Sequence, residues 1–120
     1  MFAMVEAAGL DVLVLTETIE EPEFLRSRLT RGEVHRQLRL MAATLAELPE
    51  AVPRAMAEID WAGWRHLART LATPGPEADA AAWFAARSLV PATLSWMRVF
   101  RRSAPAWFDY GSPPALAALH

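Results

Sequence analysis

Val34, Leu38, Met41, Leu45 and Leu48 follow one another at intervals of four, three, four and three residues. That spacing is the α-helical period, so the side chains form one apolar stripe along a helix. A strand would send successive residues to opposite faces and scatter the set. A helix with a single apolar stripe needs other elements to cover it, and here the neighbouring segments read as helices too. Thr30-Arg31-Gly32-Glu33 reads as a capping box that opens this helix: the threonine hydroxyl accepts from the third amide while the glutamate reaches back. Arg36 and Arg39 fall off the stripe, and Pro49 ends it.

A first helix is expected over about 2–17, with Phe2, Val5, Gly9, Val12 and Leu15 or Thr16 on one face. The cluster Thr18-Ile19-Glu20-Glu21-Pro22 breaks it, and a short helical piece follows over about 22–28. A loop holding Pro49 and Pro53 leads to Asp60, a good N-cap for a helix over about 61–72. Thr73-Pro74-Gly75-Pro76 is a break. The last helix is expected over about 77–102, with Trp83, Ala86, Val90, Leu94 and Met97 facing inward and Pro91 kinking or splitting it. Trp61, Trp64, Trp83, Trp96 and Trp107 read as core or interface anchors. Residues 104–120 carry too much proline and glycine for a long element and read as a tail beyond a domain of residues 1–103. The expected fold class is all-α, an up-and-down bundle of four to five helices.

Composition supports helix and removes several chemistries. The 120 residues, about one domain, include 24 alanines, the best helix formers, against five glycines. With no cysteine there is no disulfide, no thiol nucleophile and no thiolate zinc site. His35, His66 and His120 are too scattered for a dedicated metal site. All twelve basic residues are arginine, and the net charge of −2 argues against bulk electrostatic binding of nucleic acid. Residues 1–25 hold six acids and no base, while the remaining 95 hold eight acids and twelve arginines. This reads as a solvated acidic end, or as a cover for an arginine-rich face in an oligomer. No apolar run is long enough for a membrane span and no basic leader opens the chain, so a cytoplasmic protein is expected.

No phosphate-binding loop, dinucleotide fingerprint, zinc-protease motif or nucleophile elbow is present. Glu20, Glu21 and Glu23 read as solvated charge rather than acid–base machinery. The positions with chemical interest are Arg65 and Arg69, one helical turn apart, with His66 beside them. Two such arginines can bind a phosphate or stack on bases; they can equally pair with Glu58, with Asp60 or with an acidic partner.

Four stretches resemble the HepT-like proteins, helical HEPN-domain members of bacterial toxin–antitoxin pairs. Met4-Val5-Glu6-Ala7-Ala8 resembles the family's first-helix opening. Phe24-Leu25, then Arg36 and Leu38, then Leu48-Pro49-Glu50 fall at its spacing. Glu58-Ile59-Asp60-Trp61 resembles its Glu-Ile-Pro-Trp turn, and Trp83 with Pro91 eight residues on resembles its last-helix pattern. The resemblance implies a HEPN-like bundle that forms a homodimer and binds a minimal nucleotidyltransferase antitoxin, with no cofactor. In active members an Arg-x4–6-His motif after that turn makes a metal-independent RNase site facing its copy across the dimer. There a histidine moves the proton of the RNA's own 2′-hydroxyl, and the arginine stabilises the developing charge.

The chain departs from the family at that point. The arginine position falls on Ala68, the histidine position on Thr73 and the modifiable tyrosine position on Gly75. Arg28 and His35 also satisfy an Arg-x6-His search but stand at the wrong end of the domain, and are read as coincidence. The expectation is a catalytically degenerate HepT-like protein acting as a dimeric binding partner of a minimal nucleotidyltransferase. The alternative is an active RNase with a site rearranged from Arg65, His66 and Arg69 at the dimer interface; a third, compatible with the first, is a nucleotide-binding subunit for such an enzyme. Arg36, Arg65 and Arg69 are the expected RNA or partner contacts, without a membrane or a metal.

Overall fold

Each apolar stripe of the sequence forms one side of a helix. The computed structural model describes residues 2–103, and every regular element among them is helical. In chain order these are α1 (Phe2–Thr16), α2 (Glu21–Arg26), α3 (Arg28–Ala46), α4 (Ala51–Ala55), α5 (Trp61–Leu71), α6 (Pro76–Phe84) and α7 (Val90–Ser103). A π-helical segment (Ala85–Leu89) joins α6 to α7. No helix among them is long and apolar enough to cross a membrane. The expected tail, with Trp107 and His120, lies outside the described residues.

Neighbours in sequence are neighbours in space. α1 packs on α3, α3 on α5 and α5 on α6, and α7 returns to α1 to close the bundle. The four long rods of the bundle are therefore α1, α3, α5 and the α6–π–α7 run. The α3 stripe of Val34, Leu38, Met41 and Leu45 is buried, with Leu48 just beyond the helix, against Val5, Val12, Trp64, Leu67 and Met97 among others. Burying each such side chain contributes about 1.5–3 kcal/mol. Gly9 meets the Leu94 side chain, so α1 and α7 approach closely at a position where a methyl group would press on Leu94.

Several boundaries differ from the sequence reading. Ser27, not Thr30, caps α3: its hydroxyl accepts from the Thr30 amide at 3.3 Å and donates to Thr30 Oγ1 at 3.0 Å. Thr30 lies one turn inside the helix, and Glu33 turns to Arg36 and Gln37 instead of closing a box. Both hydroxyls suit a cap; the extended backbone at Ser27 between α2 and α3 decides which one serves. The expected Pro49–Pro53 loop contains α4, where Pro53 sits in a first turn that needs no amide from it.

Pro91 neither breaks nor ends the last rod. Lacking an amide, and with a ring that crowds the carbonyl four residues back, it is preceded by a π turn in which the Val90 amide reaches Ala85, five residues earlier. The widened turn also presents Arg87, which donates to the Ile19 carbonyl at 2.7 Å and lies 4.6 Å over the Trp83 ring. Trp83, half-buried rather than fully inside, meets Phe24 of α2 with ring centroids 5.2 Å apart. These contacts hold α2 and the turn before it against the rod.

One buried polar link ties α5 to α7. Trp64 Nε1 donates to Thr93 Oγ1 at 2.9 Å, and the Thr93 hydroxyl donates to the Leu89 carbonyl at 2.7 Å. Thr93→Val keeps the shape but leaves the indole N–H buried without an acceptor. It should cost about 1–3 kcal/mol with no change in denaturant slope, read by urea unfolding; an unaltered midpoint would show that the link carries no stability.

Candidate functional site

The sequence-predicted basic residues lie on the outer side of α5. Asp60 caps this helix by accepting from the Gly63 amide at 2.8 Å, as its spacing predicted. That start turns Trp64, Leu67 and Leu71 into the core and leaves Arg65, His66, Ala68 and Arg69 exposed. Arg69 shares one depression with His66, Thr73 and Glu77, and a separate groove between α3 and α5 with Arg65, Ala68 and Trp61. No single depression contains Arg65, His66 and Arg69 together. Among the described residues none of these three side chains has a hydrogen-bond or ion-pair partner; Asp60 is engaged as a cap and Glu58 pairs with neither arginine.

Arg36 is exposed on α3 with its guanidinium fork occupied by Glu33: Nε reaches Oε1 at 3.0 Å and Nη2 reaches Oε2 at 2.7 Å. Hydrogen bonds from Arg36, then from Gln37, pull the Glu33 carboxyl down to about 2. The same glutamate holds the Arg36 guanidinium above its ordinary value. An RNA or protein ligand at Arg36 would have to displace that carboxylate.

A second constellation lies between α3 and α6. Arg31, His35 and Arg39 recur every fourth residue along α3, and Arg28 precedes them by one turn, so all four share an edge of the helix. This edge faces the first turn of α6, because the Thr73–Pro76 break reverses the chain after α5. Gly75, at φ 150°, takes a backbone conformation that side chains disfavour. The reversal brings Asp79 to α3: its Oδ1 lies 3.1 Å from His35 Nε2 and 3.5 Å from Arg31 Nε. Arg31 also donates to the Leu25 carbonyl at the end of α2. Arg28, Arg31, Gly32, His35, Arg39, Leu71, Pro74, Gly75 and Asp79 line a cleft of about 430 Å³.

His35 is the chemically distinctive member. Its side chain is 12% exposed, and Nε2 is buried at ion-pair distance from Asp79 yet off the line of a hydrogen bond. Burial lowers the readiness of this imidazole to take a proton; Asp79 opposes that, and Arg39 and Arg31 reinforce it. The net direction is below the ordinary histidine value. The cleft thus combines one carboxylate, three guanidiniums and an unsatisfied imidazole nitrogen. The sequence reading missed it: the four-residue spacing of Arg31, His35 and Arg39 was a visible signal, but Asp79, the partner of Arg31 and His35, is more than forty residues from either in sequence.

The depression on the other side of the same turn shares Pro74 and Gly75 with this cleft, so His66 and Arg69 flank the turn on one side and the α3 arginines on the other. Among the described residues no group of three or more histidines and carboxylates is placed to hold a metal ion. Comparison with known proteins finds no matching family model, no matching curated protein and no matching solved structure.

The lowered proton affinity of His35 sets the sign of a stability change. The unfolded chain takes up a proton near the ordinary histidine value of 6.5, while the folded chain resists it, so acid favours unfolding. Stability should fall as pH drops from about 7 to about 5.5, and His35→Gln should flatten that slope. Urea titrations of both proteins across the interval measure it; parallel slopes would remove His35 as the cause.

Proposed function

We propose that this chain is a HepT-like helical protein acting as a homodimeric binding partner of a minimal nucleotidyltransferase, without the RNA cleavage of active family members. The observation that carries this reading is the state of the α5 face. Cleavage of RNA through its own 2′-hydroxyl needs a proton-transfer group and a charge-stabilising group directed at one phosphate. The corresponding positions hold Ala68 on α5 and Thr73 just beyond it, neither an imidazole nor a guanidinium, and the neighbouring Arg65, His66 and Arg69 are exposed, Arg69 sharing one open depression with His66 and a groove with Arg65. Such a surface suits contact with a partner better than acid–base chemistry.

The dimer reading rests on α1. This helix is apolar on both sides: Phe2, Val5, Ala8 and Val12 face the core, while Ala3, Ala7, Leu10 and Val14 face outward. Leu10 is 57% exposed and Val14 65%. A helix that is hydrophobic all round is normally covered on both faces, and a second copy supplies that cover.

Purified protein should leave structured and single-stranded RNA intact. Reproducible cleavage abolished by His66→Ala would overturn the non-catalytic reading in favour of a rearranged RNase site. Sedimentation should give a dimer at micromolar concentration, and Leu10→Glu combined with Val14→Glu should give a monomer with unchanged helical circular dichroism. A stable wild-type monomer would remove the dimer. Co-expression with a minimal nucleotidyltransferase encoded beside it should yield a co-purifying complex, and two separately eluting proteins would remove that partner.

A further inference from the structure

We propose that the cleft between α3 and α6 is a binding site for a phosphate group, free or carried as a monoester on a small molecule, held by Arg28 and Arg39 beside His35. The charges motivate it. Asp79 is the one carboxylate lining the cleft, and it is matched by Arg31 at 3.5 Å. Arg28 and Arg39 line the same concavity and have no carboxylate partner among the described residues. Both residues border one cleft without a counter-charge there, and a dianion bound in it would supply that charge. A carboxylate ligand would answer only one of the two charges, and a metal cation would add a third. Guanidinium forks match adjacent phosphate oxygens in geometry as well as charge.

Gly32 is an independent pointer. It lies inside α3, where glycine costs about 1 kcal/mol relative to alanine. A Cβ built there would meet nothing within 4 Å, so packing within the protein does not require glycine. It lines the cleft together with Arg28 and His35. The volume of about 430 Å³ falls within the range that small ligands fill. His35 lines the same cleft with its Nε2 buried 3.1 Å from Asp79, so its titration reports charge entering the cleft. The charged groups facing that ring are Asp79 from α6 and Arg31 and Arg39 from α3; the turn wall of Leu71, Pro74 and Gly75 adds none.

The test follows the His35 imidazole and arginine Nε–H signals by nuclear magnetic resonance, with inorganic phosphate titrated at constant ionic strength. A saturable shift is expected, with the His35 titration moving upward as phosphate binds. Arg28→Gln combined with Arg39→Gln, both surface changes, should weaken binding by about tenfold or more. Gly32→Leu should abolish binding while raising thermal stability, since it fills the cleft and improves the helix. Adenosine 5′-monophosphate binding tighter than phosphate, with adenosine itself not binding, identifies a phosphorylated small molecule; equal affinities identify free phosphate. The site is overturned if no saturable shift occurs, if chloride produces the same shift, or if both variants bind as the wild type does. It is likewise overturned if an oligoribonucleotide without a terminal phosphate binds where phosphate does not. Failure here leaves the dimer and partner reading intact, because that reading rests on α1 and α5.

Discussion

Burial of the α3 stripe is the constraint on which the rest of the molecule depends. Val34, Leu38, Met41 and Leu45 point into the core, and α3 touches α1, α2, α5 and α6. Because a helix turns 100° per residue, fixing that stripe inward also fixes which residues face elsewhere. Arg28, Arg31, His35 and Arg39 are carried to one edge by the same rotation that buries Leu38. The chemistry of the cleft is therefore a by-product of the register that builds the core. Ser27 sets that register by ending α2 and capping α3 in one residue.

Opposite this edge, the position of Asp79 follows from the turn between α5 and α6. Thr73 to Pro76 can reverse the chain because Gly75 accepts a positive φ, and the following helix starts with its first turn against α3. Asp79 then lies one turn in, where a carboxylate favours the positive end of its own helix and also meets Arg31 and His35. The histidine is held close to a carboxylate without a well-directed hydrogen bond, and burial lowers its readiness to take a proton. On the far side of the turn, α5 presents arginines that form no ion pair among the described residues, although Glu77 lines the same depression as Arg69. The two faces share a wall but differ in kind: one is a partly neutralised, half-buried cluster, the other an open basic surface.

Much of the fold was legible in single residues. Asp60 as a cap, the Thr73–Pro76 break, the five-residue stripe and the inward face of α1 all act through neighbours within a few positions, and local rules cover them. The exceptions arose where two local solutions were equally good. Ser27 and Thr30 both suit a cap, and only the path of the chain out of α2 selects Ser27. Pro91 can kink, split or widen a helix; packing of the rod on α1 and α5 selects the π turn, which keeps Val90, Thr93 and Leu94 facing inward. The α4 turn was missed because two prolines suggest a loop, although one of them lies where a helix tolerates it.

The amino-acid order by itself determined that the chain is helical, where most helices begin and end, and which side of each is apolar, since these depend on periodicity and short-range hydrogen bonds. It also determined that any anion-facing surface must be built from arginine and histidine. Only the tertiary structure decided which of those residues meet. Arg65 and His66 are adjacent in sequence yet open onto different depressions, because a helix surface is convex and spreads its side chains. Asp79 is distant in sequence from Arg31 and His35 yet lies within 3.5 Å of both, because a concave site needs two elements to face each other, and that contact is set by packing.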